Sequence, residues 1–276
     1  MSANSKCYCV RRASNWMHGS KGDICLLMKP SPFHPLVSWL LYPVYAWQGI
    51  NVRRKTERML PPSGLPTGEI AGKDPAIRLL VLGDSSAVGV GTTDAWQGLC
   101  VRLAVHLQGR TGRKIIWRAA GFNSATSGQL RDHVVPNLER GMWTHIVLAI
   151  GSNDTKNFHS LPRFKREFGG LLYALKAKWP EAHIVWSKVI DFRDVPAMPP
   201  LLGRILEGRA SAINRLGARL CRERMAIPAT RLPVEGPEGF SIDGFHASAL
   251  GYDAWAKHLV PYVLNLPDTE NGRVLP

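Results

Sequence analysis

The sequence predicts an α/β protein built on a central parallel sheet of about five strands, with helices on both faces. Three observations carry that prediction. Residues 77–82, 115–117, 145–150 and 183–186 are short runs rich in Leu, Ile, Val and Trp. Stretches with apolar residues at helical spacing separate them. Tight polar turns close two of them, Gly83-Asp84-Ser85 and Gly151-Ser152-Asn153-Asp154. A strand buried on both faces reads as a continuous apolar run, and strands alternating with helices make a parallel sheet.

The elements follow in order. Residues 77–82 form a strand that stops at Gly83-Asp84-Ser85-Ser86, and small residues 87–91 lead into an amphipathic helix over 95–108. Residues 115–117 are the second strand, and 127–135 fit a helix. The third strand is 145–150. Residues 161–179 are amphipathic, with Phe164, Phe168, Leu171, Leu172 and Leu175 on one face, and the helix stops at Pro180. The fourth strand is 183–186. A Pro-rich loop over 191–200 precedes a long helix over 201–225. A weak fifth strand is expected near Thr230, and a last helix over 250–263.

Flanking segments differ in composition. Residues 1–35 lack periodicity and are expected to be poorly ordered, with Met1, Met17 and Met28 all possible starts. Residues 36–50 are almost continuously apolar but shorter than the roughly 20 residues of a membrane span, and Pro43 interrupts them. Arg53, Arg54, Lys55 and Arg58 follow. Two readings stay open for 36–58: peripheral contact with an anionic membrane, or a segment packed on the catalytic domain. Residues 61–75 read as a Pro/Gly-rich linker, so the expected boundaries are 36–75, a catalytic domain over 76–265 and a tail over 266–276.

The chain of 276 residues carries a net charge of +14. Nine Lys and Arg against Asp23 and Glu57 place +7 of it in the first 60 residues. No nucleic-acid motif accompanies the charge, so no nucleic-acid partner is expected, and a membrane surface explains the imbalance at least as well. The five cysteines, Cys7, Cys9, Cys25, Cys100 and Cys221, are an odd number without zinc spacing. They suggest no disulfide framework and no metal. Cys100 and Cys221 fall in helical apolar patterns and are expected in the core. A cytoplasmic location, with or without membrane contact, is compatible with that usage. Oligomeric state is not legible.

Three turns carry the chemistry. Ser85 follows an apolar strand, at the sheet edge where open α/β folds bind ligands. Asn153 occupies the corresponding place after the third strand. Asp243 and His246 stand three apart before the last helix, so the carboxylate can curl back to the imidazole. A nucleophile needs a base, and the base needs an acceptor that fixes its tautomer. Ser85, His246 and Asp243 supply these parts. A dinucleotide fingerprint fails because Asp94 stands where the third Gly is needed, no Walker A motif is present, and Gly83-Asp84-Ser85-Ser86-Ala87 lacks the second Gly of an α/β-hydrolase elbow.

These motifs resemble the SGNH hydrolases, also called GDSL esterases and lipases. Gly83-Asp84-Ser85 with Gly89 is similar to the family's first block, Gly151-Ser152-Asn153-Asp154 to its third and Asp243-Gly244-Phe245-His246 to its fifth. The resemblance covers about residues 77–265. It implies a flavodoxin-like three-layer α/β/α sandwich and hydrolysis of small-molecule carboxylic esters without a cofactor. It also implies Ser85 as nucleophile, His246 as base, Asp243 as its orienter, and an oxyanion hole from Ser85, the second block and Asn153. In that second block, Gly121-Phe122-Asn123-Ser124-Ala125-Thr126 departs from the usual pattern. Ser124 stands in the place of a second Gly, and it keeps the backbone N–H a hole requires. Gly83, Asp84, Gly121 and Asp154 are expected to support the loops. A carbohydrate O-deacetylase or acyl-thioesterase of the same fold, or a membrane-surface binding module with a degenerate site, are the alternatives.

Overall fold

A computed structural model describes residues 42–55, 59–234 and 236–266. The chain divides into a first unit, Met1–Leu41, and a second, Tyr42–Pro276. The first lies outside the described residues, as do the expectations for residues 1–35 and 36–41, those for Cys7, Cys9 and Cys25, and all but Leu266 of the tail.

Six strands form one sheet: β1 (Thr67–Ile70), β2 (Lys73–Gly83), β3 (Arg113–Gly121), β4 (His145–Ala149), β5 (His183–Ser187) and β6 (Ala226–Pro228). Their spatial order is β1-β3-β2-β4-β5-β6. All neighbours pair in parallel except β1, which runs antiparallel to β3 at the edge. Order therefore reverses at β2, with β3 on one side and β4 on the other. Crevices at such a point are where doubly wound sheets bind ligands.

Alternation along each strand divides the core. Leu80, Leu82, Ile146, Leu148, Ile184 and Trp186 face helices α5 (Leu161–Lys178) and α6 (Pro200–Glu223). Leu79, Val81, Val147 and Val185 face α2 (Leu99–Thr111) and α7 (Ala249–Val263). Cys100 and Cys221 are buried free thiols in the core, as expected. Ser160 caps α5 by accepting from the Arg163 N–H, and α2 ends at Gly112 in the left-handed conformation.

The structure corrects several expectations. The linker over 61–75 contains β1 and the start of β2. A half-exposed edge strand of four residues needs no apolar alternation, so its sequence, Thr-Gly-Glu-Ile, carries no strand signal. The helix over 95–108 is broken. Asp94 caps a single 3₁₀ turn, Ala95–Gln97, and Gly98 takes an extended conformation before α2 begins. Residues 127–135 coil irregularly: α3 (Ser127–Gln129) passes into a π turn, Leu130–Val134, and a 3₁₀ turn, Val135–Asn137. The last strand, β6, precedes Thr230.

Helix α1 (Tyr42–Lys55) carries Pro43 in its first turn, where the missing N–H costs nothing. Val52 packs on the larger core cluster, while Trp47 and Ile50 are 63% and 50% exposed. No helix among the described residues is long and apolar enough to cross a membrane.

Candidate active site

The ends of β2, β3 and β4 approach so closely that only glycine fits. A Cβ on Gly83 would lie 2.1 Å from the Ala149 carbonyl oxygen, and one on Gly121 would lie 1.8 Å from the Gly83 carbonyl oxygen. This contact brings three loops to one point of the sheet edge. Beyond Gly83 the chain turns sharply. The Asp84 carboxylate accepts from the Ser86 N–H at 3.0 Å, and the Ser85 carbonyl accepts from the Val90 N–H at 3.0 Å. Ser85 is held near the surface of the turn, 7% exposed, on the wall of a cavity.

His246 reaches that cavity from the loop before α7, with Asp243 behind it. Asp243 Oδ1 accepts from Ser241 Oγ at 2.8 Å and from the N–H groups of Phe245 at 2.8 Å and His246 at 2.9 Å. Its Oδ2 meets His246 Nδ1 at 2.5 Å. Burial pushes the Asp243 carboxyl up, but the hydrogen bonds from His246, Phe245 and Ser241 outweigh it and hold the group well below the usual carboxylate range. An ionised acceptor there fixes Nδ1–H and leaves Nε2 as the basic nitrogen. Gly91 makes this approach possible. A Cβ on it would lie 2.3 Å from the Ala247 carbonyl oxygen and 2.9 Å from His246 Cβ.

Asn153 sits on α4 (Ser152–Lys156), buried, and its amide donates to Asp84 Oδ2 at 3.1 Å and to the Ala125 carbonyl at 2.9 Å. Ser124 adopts φ +66°, the left-handed conformation glycine would take there. Neither the Ser85 nor the Ser124 N–H donates to a protein acceptor among the described residues. Ser85, Asn153 and His246 line the cavity together, and Ser124 is not part of its wall. Ser85 Oγ and His246 make no hydrogen bond to each other here. Such bonds often tighten only with substrate.

The cavity measures about 560 Å³. Ile190, Phe192, Leu232, Val234, Phe240 and Trp255 give it an apolar wall beyond the polar end at Ser85. The sequence reading missed this wall. It comes from loops after β5 and β6 and from one face of α7, which are distant in sequence and carry no motif.

Asp154 turns away from the cavity and is fully buried. It accepts from the Ser127 N–H at 3.1 Å and Ser127 Oγ at 3.0 Å, and meets His159 Nδ1 at 3.2 Å. Burial raises its carboxyl, with the Ser127 and His159 contacts opposing. Glu167 joins them 3.5 Å from His159, and the three ligand-type atoms lie within 4.8 Å of one another. Arg163 already pairs with Glu167 at 2.8 Å, so the cluster is an ion-pair network tying α4 to α5. The spacing of Asp154, His159 and Glu167 follows no helix or strand period, so sequence gave no sign of it.

The profile of the GDSL-like lipase/acylhydrolase family matches residues 81–254, more than half of the chain. The chain belongs to that family. For this GDSL-like hydrolase, solved structures agree in fold. TesA is 18% identical, with a TM-score of 0.56, covering 68% of this chain and 99% of its own. The lipase Lip_vut3 from a goat rumen metagenome is 16% identical, with a TM-score of 0.53, covering 67% and 97%. A family 3 carbohydrate esterase from Clostridium thermocellum is 16% identical, with a TM-score of 0.53, covering 70% and 97%. No curated protein matches the sequence. The family is one of hydrolases, and the α/β fold with a mixed six-stranded sheet is the fold of these neighbours.

Proposed function

We propose that the protein is a serine-dependent carboxylic ester hydrolase working through an acyl-enzyme. The observation that carries this reading is the Asp243–His246 pair at 2.5 Å, whose imidazole lines the same cavity as Ser85. Ser85 Oγ attacks the acyl carbon while His246 Nε2 takes its proton. The carbonyl oxygen becomes an oxyanion, held by the N–H groups of Ser85 and Ser124 and by Asn153. The alcohol leaves with the proton from His246. Water, deprotonated by the same nitrogen, then releases the acid and restores Ser85. No step requires a cofactor. Asp84 and Asp154 hold loops and neighbours.

The apolar cavity favours esters of acyl chains longer than acetyl. It is within the roughly 300–1,000 Å³ usual for small-molecule sites, and an acetyl group would leave most of it filled only with water. A panel of p-nitrophenyl esters from acetate to decanoate, with acetylated sugars, lysophospholipid and acyl thioesters, tests the choice. Turnover should rise with chain length, and a clear preference for acetylated sugars would favour the deacetylase alternative. Ser85→Ala should lower kcat about 10⁶-fold while the melting temperature holds. Near-wild-type turnover by folded Ser85→Ala would exclude Ser85 as the nucleophile.

Membrane contact through α1 is supported by the exposed stripe of Trp47, Ile50 and Arg54, which lie three and four residues apart. A truncation at Gly72 cannot test it, because that removes β1. Trp47→Ser/Ile50→Ser keeps the sheet intact. Wild type should co-sediment with anionic vesicles at low salt and the double variant should not. Equal behaviour of the two proteins would leave α1 as a packing helix only.

A further inference from the structure

The Asn153 carboxamide occupies a specific place between two loops. Its Nδ2 donates both to Asp84 Oδ2 and to the Ala125 carbonyl. A carboxamide has two N–H groups, so both are engaged. Asp84 directly precedes Ser85, and Ala125 directly follows Ser124. The amide thus ties together the two loops whose backbone N–H groups complete the proposed oxyanion hole.

Asp84 is built for this task. It is 3% exposed, and the charge of Lys156 acts on it. Its two carboxylate oxygens divide the work: Oδ1 accepts from the Ser86 N–H within the nucleophile turn, and Oδ2 accepts from Asn153. Burying a carboxylate is costly, and burial outweighs the Ser86 hydrogen bond and the Lys156 charge, pushing the carboxyl above its ordinary value. A turn needing only an Asx-type cap would be served by Oδ1 alone.

We propose that Asp84 is a positioning residue for the oxyanion hole, holding the Asn153 carboxamide between the two loops so that one of its engaged N–H groups can be shared with the oxyanion when the tetrahedral intermediate forms. The proposal rests on the ester-hydrolase reading for its catalytic consequence. An orientation set before reaction avoids reorganisation at the moment charge develops, the source of most oxyanion-hole catalysis. Without Asp84 the amide keeps only the Ala125 carbonyl as a hold and can rotate about its side-chain torsions.

A double-mutant cycle between Asp84 and Asn153 separates positioning from plain stability. The reactions are ester turnover and labelling by a fluorophosphonate, in which a serine Oγ–P bond forms and fluoride leaves. Asp84→Ala should lower kcat and the labelling rate about 10-fold, with KM within about 2-fold. In the Asn153→Ala background the same change should cost less than about 2-fold, because nothing is left to position. If Asp84→Ala fails to fold, Asp84→Asn enters the cycle. Its single amide oxygen can serve Ser86 or Asn153 but not both, so it should show a smaller loss, one that again shrinks in the Asn153→Ala background. An equal cost in both backgrounds, or no cost in either, overturns the proposal. Side-chain ¹⁵N–¹H spectra decide the structural half without catalysis. The Asn153 NH₂ pair should lose its chemical-shift dispersion in Asp84→Ala, and an unchanged pair overturns the positioning role. Wild type that neither turns over nor labels would instead reject the hydrolase reading, leaving the spectrum to judge Asp84.

Discussion

Two of the carboxylate–imidazole pairs among the described residues, Asp243–His246 and Asp154–His159, both have buried carboxylates but differ in how their imidazoles reach the cavity. His246 lines the cavity with its side chain 11% exposed, and the Asp243 carboxylate lies fully buried behind it. Asp154 and His159 sit behind α4, with side chains 0% and 5% exposed and no share in the cavity wall. The first carboxylate is held well below its ordinary value by four donors, while the second is raised because burial outweighs its donors. Residue types alone do not make a base. A histidine becomes one when its acceptor is ionised, its far nitrogen is reachable, and a nucleophile lines the same space. Asp154 and His159 instead connect α3, α4 and α5, and set the backbone from which Asn153 projects.

Asp243→Asn presses hardest on that contrast. Asp243 Oδ1 already accepts from three donors, so an Asn at this position keeps its oxygen there and turns its NH₂ toward the ring. His246 Nδ1 must then accept, Nε2 carries the proton, and the base is lost. Steady-state kcat should fall about 10⁴-fold with little change in circular dichroism. A fall under 10-fold would show that His246 does not depend on Asp243 for its tautomer.

His159→Gln probes the other pair. It removes the imidazole contacts to Asp154 and to Glu167 Oε2, leaving buried acceptors less satisfied. Stability should fall by about 1–3 kcal/mol, read by urea denaturation, with kcat per folded molecule within about 3-fold of wild type. A kcat loss as large as that of Asp243→Asn would break the contrast, by making the buried pair part of the chemistry.

The same contrast governs what sequence could reveal. Ser85, Asn153 and His246 each follow a sharp local signal, a strand end or a helix entrance with a polar turn, and local signals survive in a linear reading. Leu79 and Leu80 on opposite faces of one strand were legible for the same reason, as was the parallel sheet. The Asp154–His159–Glu167 network and the wall made by Phe192, Leu232 and Trp255 depend on how distant loops meet, which no period encodes. Strand β1 was hidden in a Pro/Gly-rich stretch because an exposed edge strand needs few apolar residues. The break at Gly98 was missed because the residues on either side keep helical amphipathicity, and the cause is tertiary: Gly98 packs against Gly89 of the nucleophile turn.

The smallest effect concerns Ser124, where the active-site contrast extends to the backbone. Among the positions of the three loop motifs, it is a non-glycine residue held at φ +66°. An L-residue pays about 1–2 kcal/mol for that conformation. Ser124→Gly removes the strain but also gives the unfolded chain more freedom, worth about 0.4–1 kcal/mol in the opposite sense. The net should be stabilisation of less than about 1 kcal/mol, seen as a small rise in melting temperature. Both residues have the same backbone N–H, so kcat should stay within about 3-fold if that N–H is the donor. The hydroxyl reaches Asn123 Oδ1 only at 3.4 Å, so its loss disturbs little in the free protein. A proline replacement cannot serve as the complementary test, because its ring fixes φ near −65° and the loop would be rebuilt. Ser124→Gly therefore isolates the side chain. A loss of kcat beyond 10-fold on a longer-chain ester would assign the Ser124 hydroxyl, rather than its N–H, to the oxyanion.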